Sequence, residues 1–129
     1  MNRRKSITTI AAATLSAAVP ATAASTGIQL HVDLNVDPAK EKELVRNFDS
    51  TFQPTIRKQA GFIDVKLLKL RSVPKGSGPA NTNYRLLISF QTEEQRLKWV
   101  ASVDHQRVWP TIEKNLRGEK LSAVLFDLV

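Results

Sequence analysis

Between Gly61 and Pro110 two strand-like runs and an interrupted helical run follow one another, and that order constrains the fold more than any other feature of the chain. GFIDVKLLKLRS follows a glycine able to end a helix, and the polar connection VPKGSGPANT leads into YRLLISFQ. TEEQRLKWVASVDHQRVWP then takes up helical spacing, with a break near Ser102. Two strands feeding directly into an aromatic-bearing helix call for an antiparallel pair with the helix laid back over one face. The space between such a helix and its sheet suits a small apolar ligand.

The flanking segments complete the pattern. Ile28 to Val36 alternates strictly, with Leu30, Val32, Leu34 and Val36 on one face and Gln29, His31, Asp33 and Asn35 on the other, as a half-buried strand requires. Asp37-Pro38 is a helix start: the carboxylate accepts from free backbone N–H groups, and proline fills a position that needs no donor. A helix is expected from there to about Gln59, with Leu44, Val45, Phe48, Phe52 and Ile56 as its apolar stripe and a kink at Pro54. Gly61 ends it, and a strand over Phe62 to Arg71 places Ile63, Val65 and Leu67 on one face and Leu68 and Leu70 on the other.

Tyr84 to Gln91 reads as the third strand. Thr92 with Gln95 resembles a capping box, and Ser102-Val103-Asp104 offers a second cap, so the helix breaks and restarts before His105. Gly118 closes it, and Leu121 to Val129 is the last strand. The connection 73–82 precedes a strand rather than a helix, which removes a phosphate-binding loop from consideration. The resulting order, βαββαβ, predicts an α+β fold of the ferredoxin-like type: a four-stranded antiparallel sheet with both helices on one face. The other face is left bare, and leucines on both sides of the second strand predict a homodimer formed through it.

Composition limits what this fold can do. The chain has 129 residues, 42% of them hydrophobic, enough for one core and one domain. It has no cysteine, which excludes disulfides, thiolate nucleophiles and cysteine-bound metals. Residues 1–24 read as a signal peptide: Arg3-Arg4-Lys5, an apolar run from Ile7 to Val19, and the small-x-small site Ala21-Thr22-Ala23. The folded domain is then 25–129, exported to the periplasm or the outside by the Sec route or, given Arg3-Arg4, by the twin-arginine route. The apolar run is too short to cross a bilayer, so no stable membrane anchor is expected.

Losing Arg3, Arg4 and Lys5 with a leader that contains no acid lowers the formal charge from +7 to +4. The remaining basic residues are interleaved with Glu and Asp, and no nucleic-acid partner is expected. There is no nucleophile-elbow serine, and His31 and His105 fit no metal-ligand spacing, so no metal site is predicted. Glu93-Glu94 at a helix start answer to the helix dipole.

Taken together, GFIDVKLLKL, YRLLISFQTEEQRLKWV and HQRVWPTIEKNL resemble the antibiotic biosynthesis monooxygenase family of dimeric α–β barrels over nearly all of 25–129. The resemblance implies a cofactor-independent oxygenase in which a phenol or quinol loses a proton and its electron-rich anion reacts directly with dioxygen. It assigns the catalytic positions to Gln95, Trp99 and His105; Val32, Phe48, Phe52, Tyr84 and Trp109 are the candidates for lining the pocket. Two of these depart from the family: Gln95 stands for a shorter amide, and His105 for a phenol, which makes it a base titrating near pH 6.5.

The haem-degrading branch of the same family would place its asparagine, tryptophan and axial histidine at Val32, Trp99 and Trp109. Indole is no conventional iron ligand and valine donates no hydrogen bond, so haem degradation of that type is disfavoured and no cofactor is expected, with His105, one turn from the missing ligand position, as the one residue that could compensate. Against the catalytic reading stands a packing one. Gln95 can be a cap, His105 a helix-start residue, His31 an interface or solvated residue, and Trp99, Trp109, Phe48 and Phe52 core. The alternative function is a non-catalytic exported module that binds a small apolar molecule or dimerises.

Overall fold

A computed structural model describes residues 26–118 and 121–129. The expected signal peptide therefore lies outside the described residues. Strand β1 (Ile28–Leu34) alternates as predicted, and Val36 continues it as a single bridge to Leu116. The Asp37 carboxylate accepts from Ala39 N at 2.9 Å and opens a short 3-10 turn, Pro38–Lys40, ahead of helix α1 (Glu41–Asn47).

The first helix does not run uniformly to Gln59. A π-helical turn, Phe48–Phe52, separates α1 from α2 (Gln53–Ile56), and Gln53 N donates to Phe48 O five residues back. Pro54 accounts for it: proline offers no N–H and its ring crowds the carbonyl four residues earlier, so the helix widens there. The wider turn sets residues four apart almost in line. Leu44, Phe48, Phe52 and Ile56 are all buried, with the Phe48 and Phe52 rings stacked at 6.1 Å. Val45, expected in the stripe, lies on its rim and is exposed.

Gly61 adopts φ +81° and turns the chain into β2 (Phe62–Lys69), which pairs antiparallel with β3 (Tyr84–Phe90). A bulge between Phe62 and Asp64 breaks the expected alternation. Val65 faces the helices, whereas Ile63 is exposed and its Cδ1 reaches Gly27. Helix α3 (Glu93–Ala101) and helix α4 (Val103–Glu113) are separated at Ser102, and β4 (Ser122–Asp127) returns along the free edge of β1.

The sheet order is β2-β3-β1-β4, all antiparallel, with both helical arms on one face: the ferredoxin-like arrangement. The core lies between this face and the helices, with Leu34, Leu44, Phe52, Phe90, Val108 and Ile112 almost fully enclosed. All six residues of β4 are exposed. The outer face of the sheet carries the Arg85–Asp33 ion pair at 2.6 Å, His31 bonded to Gln29 at 2.8 Å, and exposed Leu68, Val124 and Phe126.

Candidate functional site

The break at Ser102 builds the site. Thr92 Oγ1 accepts from Gln95 N at 3.1 Å and starts α3; its return partner is missing, because the Gln95 side chain does not reach back to the cap. At the other end Ser102 serves both helices. Its Oγ donates to Trp99 O at 2.6 Å and accepts from His105 N at 3.1 Å. The hydroxyl is a second donor to the Trp99 carbonyl, which also accepts from Ser102 N at 3.0 Å, and it satisfies an amide at the start of α4 that a helix end otherwise leaves open.

Beneath this junction is a cavity of about 310 Å³, at the lower end of the range for small-molecule sites. Its floor is the paired strands, Leu30 opposite Ile88 and Val32 opposite Leu86. Phe52, Trp99, His105 and Trp109 form its upper wall. Leu121 and Ala123, both exposed, place its mouth along β4, and Arg96 and Val100 complete the rim.

The aromatic groups form a chain of contacts. Trp99 meets Phe52 edge-on at 5.9 Å and His105 edge-on at 5.0 Å, and His105 stacks on Trp109 at 6.2 Å. Trp99 is buried, while His105 is half-buried and wedged between the two indoles. Burial holds the His105 imidazole below its ordinary pKa, so the ring is neutral at neutral pH and has a lone pair with which to accept a proton.

Of the residues singled out in the sequence, His105, Trp99, Val32, Phe52 and Trp109 share this cavity. Gln95 does not. Its amide lies against Gly61, where a Cβ would fall 1.9 Å from Oε1, and that oxygen is buried without a hydrogen-bond partner. Phe48 and Tyr84 are also elsewhere, around a separate hollow with Val45, Leu67 and Lys69. Tyr84 is engaged there, donating to Glu41 Oε1 at 2.7 Å, and the same carboxylate pairs with Lys69 at 2.9 Å. A wider hollow of about 560 Å³ nearby is walled by Glu41, Lys42, Arg46 and Lys69, with Tyr84 as its one aromatic lining residue.

Arg96 was not foreseen. It lies three and four residues before Trp99 and Val100, so helical spacing puts it on the same face of α3. Its Nε and Nη2 bind both oxygens of Glu93, at 2.6 and 2.8 Å. That bond lowers the Glu93 pKa and raises that of Arg96, so both stay charged. Val32 and Trp109, the positions matched to the haem-degrading branch, line the same cavity as His105. Among the described residues no group of three or more His, Asp or Glu is placed to hold a metal ion.

Fold and site together define a ferredoxin-like domain with an apolar, histidine-bearing cavity under a broken helix. No protein-family model matches the chain, and no curated protein is significantly similar to it in sequence. Solved structures are similar. A candidate antibiotic biosynthesis monooxygenase from Bordetella bronchiseptica superposes with a TM-score of 0.65 at 18% identity, over 80% of this chain and 97% of that one. A variant of SnoaB, a cofactor-independent oxygenase from Streptomyces nogalater, gives 0.60 at 16% identity, over 79% and 92%. A dimeric ferredoxin-like protein of unknown function from a Jannaschia species gives 0.66 at 12%, over 79% and 99%. The chain thus has the fold of the antibiotic biosynthesis monooxygenase structures, as the sequence resemblance implied; at these identities the likeness is one of fold.

Proposed function

We propose that the protein is an exported, homodimeric monooxygenase that oxidises a small phenol or quinol with dioxygen and without a cofactor. The observation that carries this reading is His105: a half-buried, neutral imidazole in an apolar cavity, flanked by Trp99 and Trp109. It is supported by the shared fold with a cofactor-independent oxygenase. In this mechanism His105 takes the phenolic proton, and the resulting anion reacts with dioxygen at a ring carbon. One oxygen atom stays on that carbon as a carbonyl and the other leaves as water. The substrate itself supplies the four electrons, so no external reductant is consumed. Trp99 and Phe52 shape the cavity and exclude water from the intermediate.

Export rests on the leader-like residues 1–24. The dimer rests on the uncovered sheet face with exposed Ile63, Leu68, Val124 and Phe126. A second reading, a non-catalytic module that binds an apolar molecule, is favoured by one observation: Gln95, matched to a catalytic amide, is packed against Gly61 away from the cavity. Dioxygen uptake by the purified protein with a panel of quinols and polycyclic phenols separates the two. The enzyme reading expects uptake that His105→Ala abolishes and Trp99→Phe diminishes. A folded protein that binds these compounds and consumes no dioxygen with any of them establishes the second reading instead.

A further inference from the structure

The cavity is apolar except for two titratable side chains among the described residues, His105 and Arg96. His105 is neutral at neutral pH, so the cavity's fixed positive charge belongs to Arg96. The guanidinium is not a loose surface group: its side chain is only 16% exposed, and Glu93 grips it through Nε and Nη2. A fork held on one edge keeps its plane fixed and leaves the Nη1 donors available to another acceptor. Glu93 is itself more exposed, 42% at the side chain, so water screens it more than it does Arg96, which lines the cavity.

We infer that Arg96 is the oxyanion-recognition residue of this cavity, and that its ligand is an aromatic compound bound through one ionised oxygen. Glu93 acts through it as a positioning residue. The inference rests on the proposed function and deepens it: His105 removes the proton and Arg96 stabilises the charge left behind. A group worked in this way lowers the pKa of a bound phenol, because an opposite charge within about 4–6 Å favours the ionised form by about one unit or more.

The test uses 4-nitrophenol, whose phenolate absorbs separately from the phenol, titrated against pH in the presence of the purified protein. The expected result is a bound probe that ionises at least about one unit lower than the free probe, corresponding to tenfold tighter binding of the phenolate. Arg96→Gln should abolish that shift while the neutral phenol still binds, and Arg96→Lys should restore part of it. Circular dichroism checks that both variants stay folded without the bidentate Glu93 pair. Binding without a shift, or a shift that survives in Arg96→Gln, overturns the role of Arg96 and leaves the proposed function standing. No binding of the probe at any pH overturns both.

Discussion

Gly61→Ala tests the placement of Gln95 directly, because the two residues occupy one space. Glycine holds φ +81° there, a conformation that costs an L-residue about 1–2 kcal/mol. The added Cβ would also lie 1.9 Å from Gln95 Oε1, 2.2 Å from Cδ and 2.8 Å from Nε2, closer than any real contact. The amide has to swing away, at about 0.5–1.5 kcal/mol for an off-rotamer side chain. The single change should therefore destabilise by about 2–3 kcal/mol. Gln95→Ala removes the obstacle, so in that background Gly61→Ala should cost only the backbone part. Urea unfolding followed by Trp99 and Trp109 fluorescence, at one fixed protein concentration, measures all four corners of the cycle. A coupling of about 1 kcal/mol is expected. Additivity within about 0.3 kcal/mol would refute the contact and return Gln95 to the cavity as a candidate for catalysis. If the contact is real, Gln95→Ala should also leave ligand binding in the cavity unchanged.

Tyr84 is the chain's one tyrosine, and burial together with its bond to the Glu41 carboxylate pushes its pKa up to about 12. Because the folded value is raised, its contribution to stability is whole below about 10 and lost as pH climbs towards 12. Ultraviolet titration of the phenol should show this, and a midpoint near 10 in a protein still folded by circular dichroism would count against it. His105 gives the opposite linkage. Its folded pKa lies below the ordinary 6.5, so the unfolded chain takes up a proton that the folded one refuses, and stability falls as pH drops through the window below about 6.5. His105→Phe should flatten that slope in urea unfolding at pH 5 and 7; an unchanged slope assigns it elsewhere. Ala123 lines the cavity mouth from an exposed strand, so Ala123→Leu should weaken ligand binding about tenfold or more while leaving the unfolding midpoint in place.

The parts of this molecule legible in its sequence are those governed by local chemistry. The caps at Asp37, Thr92 and Ser102 each join residues two or three apart, and all three hydrogen bonds are present. The alternation of β1 and the positive φ of Gly61 and Gly118 follow equally from near neighbours. Pro54 announced a distortion but not its kind, since a kink and a widened turn both answer a missing N–H. Ile63 was misplaced because a bulge depends on how β2 meets β3, not on β2 alone. Gln95 shows how position along a motif can mislead. The spacing to Trp99 matched a catalytic pattern, yet the chain at Gly61 claimed the side chain. Arg96 carried a signal that went unread: an acid three residues before it, within ion-pairing reach, and an indole three residues after it.

The junction at Ser102 is where fold and site are the same problem. In an unbroken α-helix, residues six apart are separated by about 600° of rotation, which leaves their side chains about 120° from each other on the cylinder. Trp99 and His105 are six apart, and their rings nevertheless meet at 5.0 Å. The extended backbone of Ser102, φ −76° and ψ 156°, re-aims the second helix and brings them together. Ser102→Ala removes the hydroxyl that caps both helices, at a cost of about 1 kcal/mol. It should also loosen the angle between α3 and α4, expose the imidazole, and let the His105 pKa climb back towards 6.5. Proton NMR of the His105 ring as a function of pH reads that return directly, with His31→Asn used to assign the signal. A Ser102→Ala protein that loses stability while its His105 titration stays where it was would show that packing of Trp99 and Trp109, rather than the cap, holds the imidazole in the cavity.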